Sequence, residues 1–443
     1  MNIQRITVGG FKNIAPTEIE LDKMVAIVSH NNYGKSNLLE AIAFATEFIN
    51  SSSKDRKNMM KWVRGIPLVK ELENHPFSFE VEFYDNALGE YAYVKYGFSF
   101  IWYRDDQTGQ RIIDEWLEFH PEGNNRYSGY LKRDESKYRK DNTTKAFRKL
   151  KLDDSQLAID ILSSIDDLGY AAAIKAIKDI EYKVCTSLDT QYLFQTSPIE
   201  EINDSGASIK FDENDVPKAL YVLKEQYPEK YDLFKETILE LFPEFNDIDV
   251  QIYELKKDVA KLQVLVTTED QTQEINNTDI PFKVRDELYK LIIYSNTLNQ
   301  PLNISLMSSG TRRIFWLLTN IFIASCTNVS CIGIEELESS IHPRLLKNLL
   351  EVLDDSLENT KLIISSHSPY LIQYLKVDHI LIGIPSENGV ARFKKIPPGK
   401  VRTVVNAARD YGMSVGEYIF ELLSGGYRSA KILSNFVGGF NDE

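Results

Sequence analysis

Val28-Ser29-His30-Asn31-Asn32-Tyr33-Gly34-Lys35-Ser36-Asn37 is the stretch on which the fold turns. Before it, the apolar run Met24–Val28 reads as a strand. After it, Leu38, Leu39, Ile42, Phe44 and Phe48 recur with the period of an amphipathic helix. A strand, a short polar loop and a helix leave unpaired N–H groups of the first helical turn facing the loop, where they and the helix dipole favour an anion. The spacing is that of G-x-x-x-x-G-K-[ST], with Ser29 in place of the first glycine. In that pattern Gly34 lets the backbone approach a phosphate, Lys35 compensates its charge and the Ser36 hydroxyl ligates Mg²⁺. Taken alone, the stretch also fits an ordinary turn before a helix, so independent motifs must decide.

Outward from this loop, residues 3–27 read as short strands around Gly9-Gly10, and period-two alternation recurs at 77–84, 91–103 and 112–119. These segments predict an antiparallel sheet flanking an α/β core. From about 128 to 241 the sequence is charged and helix-periodic, with Tyr170-Ala171-Ala172-Ala173-Ile174 and Ala219-Leu220-Tyr221-Val222-Leu223 as apolar faces. Strand character returns at 250–255 and 262–267, and residues 403–433 have helical spacing interrupted at Gly425-Gly426. The expected division is an N-terminal lobe (1–127), a helical insertion (128–245), a C-terminal lobe (246–400) and a helical tail (401–443).

The 443 residues, 43% of them hydrophobic, suffice for more than one compact unit. A formal net charge of -14 argues against broad non-specific adhesion to nucleic acid. The most apolar stretch, 314–324, contains Thr319 and Asn320 and is too short to span a bilayer, and residues 1–11 lack a signal-like apolar run. A cytoplasmic protein with no membrane partner is expected. Cys185, Cys326 and Cys331 have neither disulfide-framework numbers nor metal-ligand spacing, and are read as buried and inert.

Three more motifs follow in order. Ser308-Ser309-Gly310-Thr311-Arg312 opens the apolar helix 314–324, a second anion site suited to a γ-phosphate presented from outside. Ser330-Cys331-Ile332-Gly333-Ile334-Glu335-Glu336 is an apolar strand ending in two acids. Adjacent strand residues face opposite sides, so Glu335 fits the Mg²⁺ side and Glu336 the side that orients or deprotonates water. Lys361-Leu362-Ile363-Ile364-Ser365-Ser366-His367 is another strand, which places His367 at a carboxyl end, where open α/β sheets bind ligands. His342, before Pro343, is expected to shape a loop.

Phosphate loop, serine-glycine signature, acidic strand end and histidine occur in the order of the ABC-type ATPases, and the chain resembles them. Gly10-Phe11-Lys12-Asn13-Ile14 resembles the opening motif of the branch containing the RecF, SMC and OLD-type ATPases. Ser308 to Arg312 and Glu335-Glu336-Leu337-Glu338 through His342-Pro343-Arg344 are similar to OLD-type signatures. The resemblance implies an α/β P-loop fold and an ATPase using ATP and Mg²⁺. Asn31, Asn32, Tyr33, Gly34, Lys35, Ser36 and Asn37 would hold nucleotide, Ser36 and Glu335 the metal, Glu336 would be the base and His367 the switch residue. Ser308, Ser309 and Gly310 would serve the nucleotide of a second copy, in a head-to-tail homodimer or higher homo-oligomer. Departures are Ser29 for glycine, Glu335 for aspartate, Ser309 for the signature's first glycine and Leu337 for proline.

Only about sixty residues follow His379, and Asp410, Glu417 and Glu421 form no acidic cluster, so no Toprim-type nuclease is expected. Members without one resemble the ATPase subunits of two-component anti-phage systems such as Septu and PARIS, which implies a separate effector protein. The alternative is a DNA-binding maintenance ATPase like RecF. Nucleic acid would then contact Lys54, Arg56, Lys57, Lys61 and Arg64, or the cations from Lys132 and Arg133 to Lys149, with Tyr138 and Phe147 among them.

Overall fold

The structure, a computed structural model of the chain, describes all residues except 105, 107, 124–125, 135–136, 140–147, 150–151, 164–168, 187–190, 198, 202–214, 256–264, 269–270, 275–281, 328, 385–387, 426 and 439–443. It divides into two compact units, one of Met1–Thr186, Asn328–Glu338 and Leu357–Glu443, the other of Ser187–Thr327 and Ser339–Ser356.

The first unit is built on a six-stranded sheet in the order Tyr182–Cys185, Cys331–Glu335, Lys361–Ser366, Met24–Val28, Ile380–Gly383 and Phe393–Lys395, parallel except for the last strand. Met24–Val28 and Lys361–Ser366 are buried at every position. That is why they read as unbroken apolar runs rather than alternating ones. Parallel pairing aligns the carboxyl ends of neighbouring strands: Ser366 is in register with Val28, and Glu335 with Ser365. The loop after Val28, the two acids and His367 therefore leave the sheet from one edge.

A second, antiparallel sheet runs Thr17–Glu20, Asn2–Gly9, Phe77–Tyr84, Tyr93–Ile101, Arg111–His120, Ser128–Asp134, Lys137–Arg139 and Arg148–Lys149. The helix Lys35–Asn50 is anchored on it by aromatic contact: Phe48 stacks on Phe98 and Phe100 at 5.0 and 4.9 Å between ring centres, and Phe44 meets Phe77 edge-on at 5.2 Å. The helix's carboxyl end is fixed by a buried guanidinium. Arg56 donates to the carbonyls of Phe48 (2.7 Å) and Ile49 (2.8 Å) and pairs with Asp160. A cation there complements the dipole and satisfies orphan carbonyls.

The expected helical insertion starting at residue 128 needs correction. Ser128–Asp134 continues the antiparallel sheet, and Tyr182–Cys185 is the edge strand of the parallel one. The strand was disguised because one of its inward positions is a cation: Arg133 is buried and faces the buried carboxylate of Glu115, which also accepts from the N–H groups of Ala158 (2.6 Å) and Ile159 (3.1 Å). Only the part after residue 186 belongs to the second unit. There, helices Val216–Gln226, Pro228–Leu241, Ser309–Thr327 and Pro343–Ser356 accompany a three-stranded antiparallel sheet of Asp247–Glu254, Glu287–Tyr294 and Leu302–Asn303. Phe234 meets Phe322 at 5.6 Å, and Phe242 lies over Phe315 at 6.1 Å. The end of the chain holds three helices, Pro398–Asp410, Val415–Ser424 and Tyr427–Phe436, and forms part of the first unit.

Cys185 and Cys331 are buried, whereas Cys326 is half-buried. Among the described residues, no helix is long and apolar enough to cross a membrane.

Candidate functional site

The loop after Met24–Val28 combines exposed and buried residues in a way that suits an anion. Asn31, Asn32 and Ser36 are exposed, while Ser29, Gly34 and Lys35 are buried. Gly34, at φ 130°, occupies backbone space that side-chain-bearing residues avoid, and Asn32 is left-handed at φ 57°. The Lys35 ammonium lies over the loop, donating to the carbonyls of Ser29 (3.1 Å) and His30 (2.9 Å) and approaching His367 Nδ1 at 3.4 Å. Burial pulls its pKa down to about 8, although the carboxylates of Glu336, Glu338 and Glu335 act in the opposite direction. The three acids thus share one electrostatic neighbourhood with Lys35.

Ser29, the departure from the phosphate-loop pattern, has its compensation across the sheet. A Cβ on Gly383, on the adjacent strand, would lie 2.7 Å from Ser29 Cβ and 2.6 Å from the Tyr33 ring. The missing glycine in the loop is matched by a glycine beside it. The Tyr33 side chain is engaged elsewhere: its hydroxyl donates to the carbonyl of Ile384 and accepts from Arg392 N–H (3.1 Å), and its ring meets Phe393 edge-on. Only its backbone remains available for the nucleotide contact expected of it. Asn37 is likewise engaged, donating to Asn13 Oδ1 (2.8 Å) and accepting from Lys12 (3.2 Å). Asn13 in turn donates to the carbonyl of Tyr33 at 2.9 Å. The Gly10-to-Ile14 motif is therefore a brace under the phosphate loop.

Glu336 has φ 47° and donates its N–H to the carbonyl of Ser365 at 2.9 Å. A left-handed glutamate is uncommon and costs conformational energy, a cost found where a side chain must be aimed. Its carboxylate acts electrostatically on both Lys35 and His367. Burial, then Lys35, hold the His367 pKa below the usual histidine value, so the ring is neutral at pH 7. With Nδ1 facing the Lys35 ammonium, the hydrogen-bonding pattern assigns the ring proton to Nε2. Its neighbour Glu338 was not singled out as a site residue. One oxygen, Oε1, accepts from the Ser366 hydroxyl (2.7 Å) and from His367 N–H (2.9 Å), clamping the end of the strand Lys361–Ser366. The only sequence signal was its place in Glu335-Glu336-Leu337-Glu338.

Ser308, Ser309 and Gly310 lie in the second unit. Ser308 caps its helix, with Thr311 N–H donating to Oγ at 3.1 Å, and Ser308 and Ser309 are exposed. Gly310 also has a packing reason: a Cβ there would lie 2.4 Å from the carbonyl of Ser340. His342 shapes its loop as expected, accepting from Arg344 N–H at 3.3 Å.

Of the cations considered for nucleic acid, Arg56 and Arg133 are interior residues bound to Asp160 and Glu115 and cannot contact a phosphate backbone. Lys54, Lys57, Lys61 and Arg64 are exposed. Lys140, Lys145 and Phe147 lie outside the described residues, as do the side chains of Lys137, Tyr138, Arg139, Arg148 and Lys149.

A family model described as an AAA domain, putative AbiEii toxin, type IV TA system, matches residues 30–373, well over half of the chain. The chain belongs to this family. Its fold is that of an SMC-head-like P-loop ATPase of the ABC type. The SMC head bound to the C-winged helix domain of ScpA is similar at 13% identity and a TM-score of 0.50, covering 91% of this chain and 100% of that one. The SMC head from Thermotoga maritima matches at 12% identity and a TM-score of 0.43, over 90% of this chain and 100% of that one. An SMC head with an extended coiled coil, bound to the C-terminal domain of ScpA from Pyrococcus furiosus, matches at 12% and 0.48, over 92% and 99%. At 13% identity the first of these likenesses is one of fold alone. No curated protein matches the chain.

Proposed function

We propose that this AAA-family chain hydrolyses ATP as the sensor or regulatory subunit of a bacterial anti-phage defence system, controlling a separate effector such as a nuclease. The observation that carries the ATPase part is the convergence of Lys35, Glu336 and His367 at the ends of three neighbouring parallel strands. Lys35 binds the β and γ phosphates. Glu336 takes a proton from the attacking water as the new O–P bond forms at the γ-phosphorus and the bond to the ADP oxygen breaks. Neutral His367 donates its Nε2–H to a γ-phosphate oxygen, and Glu338 holds the strand end that carries it.

Among the described residues, no group of three or more His, Cys, Asp or Glu side chains forms a ready metal cage. Mg²⁺ does not need one, because it takes most of its ligands from phosphates and water. The exposed Ser36 hydroxyl and Glu335 at the strand end fit that partial role, and the ion would supply charge neutralisation on the phosphates. Ser308 and Gly310 of a second copy would close over the γ-phosphate, completing the site. The defence role rests on the family's description, which names a toxin of a toxin–antitoxin system, and on the OLD-type resemblance of Glu335 to Arg344.

The test is to express the chain with the products of its neighbouring genes, purify it, and measure ATP hydrolysis beside Lys35→Ala. Expected is a co-purifying effector and a turnover that the variant abolishes. Wild-type turnover in Lys35→Ala refutes the ATPase reading. Steeply salt-dependent DNA binding with no effector replaces the defence reading with the RecF-like one.

A further inference from the structure

Leu306 is 73% exposed, yet it is not on a loose segment. It ends the turn Ile304–Leu306, which Asn303 Oδ1 caps by accepting from Ser305 N–H at 2.8 Å, while Met307 N–H donates to the carbonyl of Ile304 at 2.9 Å. Arg312 grips both sides of it, donating to the carbonyls of Ser305 (3.0 Å) and Met307 (2.8 Å). Single exposed leucines are ordinary. This one is held rigidly and stands just ahead of Ser308, the residue that would meet the nucleotide of another copy.

In the first unit, a cavity of ≈ 390 Å³ opens beside the phosphate loop and the switch histidine. His30, Asn31 and His367 line its polar side; Ile372, Phe420 and Leu423 line the other. The apolar side is made by the tail helix Val415–Ser424 packed on the helix Pro369–Tyr374, which begins two residues after His367. Ile372 and Leu423 are buried, whereas Phe420 remains 39% exposed. The cavity thus offers apolar cover next to the position a γ-phosphate would take.

We propose that the occupant of this apolar wall is Leu306 of a second copy, seated against Phe420 and Ile372 when the two copies close head to tail. The inference rests on the composite-site reading above and adds to it a role for the tail. A signature that reaches the γ-phosphate carries Leu306 with it, and the wall beside that phosphate is continuous with the same interface. Removing an exposed leucine from water on closure strengthens the pair by about tenfold or more. The tail then belongs to the ATP-dependent interface, so anything that displaces it loosens the pair.

The test uses the full chain in a Glu336→Gln background with ATP and Mg²⁺. Leu306→Cys and Phe420→Cys proteins are mixed and treated with a mild thiol oxidant, and a covalent dimer is sought on a non-reducing gel. A bridge requires the two Cβ atoms to come within disulfide range. Expected is a covalent dimer in the mixture, dependent on ATP and absent from either variant alone, which also controls for the native Cys326. In parallel, Leu306→Ala is expected to weaken ATP-dependent dimerisation about tenfold while ATP affinity at low protein concentration is unchanged. If light scattering shows an ATP-dependent dimer but no cross-link forms, or Leu306→Ala pairs as tightly as its parent, the seat is wrong and the composite site stands. If ATP neither forms a pair nor compacts an existing one, both fall.

Discussion

Raising the pH across the titration of Lys35 tests the phosphate loop directly. In the nucleotide-free protein burial draws this lysine down to about 8, against the opposing pull of Glu336, Glu338 and Glu335. The phosphates of ATP favour the charged form, so the bound-state pKa lies above the free-state one. The sign follows: affinity is fully present below pH 8 and is lost as pH rises above it, roughly tenfold per unit, until the bound-state pKa is reached. Between pH 7.5 and 9.5 the dissociation constant therefore rises by about 25-fold, equivalent to about 2 kcal/mol. His30 and His367 are held below the ordinary histidine value and are already neutral across this window. The assay is equilibrium binding of a fluorescent ATP analogue at fixed Mg²⁺, with calorimetry in two buffers of different ionisation enthalpy to count protons taken up. Lys35→Arg is the control, because a guanidinium stays charged throughout. A wild-type affinity that is flat from pH 7.5 to 9.5, or an equal slope in Lys35→Arg, would refute the reasoning.

Three other outcomes are expected. Glu338→Ala strands the Ser366 hydroxyl and the His367 N–H, so kcat should fall about 10- to 100-fold with ATP affinity within about threefold of wild type in a binding titration. Equal losses in both would make Glu338 merely structural. Gly383→Val pushes into Ser29 and the Tyr33 ring and should weaken ATP binding by about tenfold or more, measured with the same analogue, while circular dichroism remains native. Arg56→Ala leaves the carbonyls of Phe48 and Ile49 unpaired, while Asp160 keeps its ion pair with Lys178, and should lower stability in urea unfolding by about 2–3 kcal/mol.

The strand, loop and helix around Lys35 were legible because the hydrophobic period changes there from a buried strand to a helix, and the strand ends at Glu335 and His367 because each closes an unbroken apolar run. Those runs mark strands buried on both faces, and parallel pairing then aligns their ends without further information. What stayed hidden depended on partners distant in the chain. Ser29 read as a defect until Gly383 was seen beside it, and Tyr33 and Asn37 read as ligands although their side chains serve the hairpin near Phe393 and the brace at Asn13. Ser128–Asp134 read as helix because Arg133 fills an apolar slot that Glu115 and the carbonyls of Gln156 and Asp153 make tenable. Periodicity reports which face a residue is on; it says nothing about what faces it. Gly310 illustrates the converse, since a residue read only as a phosphate contact also allows close packing against Ser340.

The most direct test of the composite ATPase site is the mass of Glu336→Gln in solution. Glutamine cannot accept the proton from water but keeps the shape of the side chain, so turnover should slow by on the order of 10² or more while ATP and Mg²⁺ still bind. With ATP trapped, size-exclusion chromatography with light scattering should convert a 50.8 kDa chain into a species of roughly twice that mass, or make a constitutive dimer more compact. Adding Ser308→Arg should abolish the change. Wild-type hydrolysis by Glu336→Gln, or normal closure of the double variant, would contradict the account.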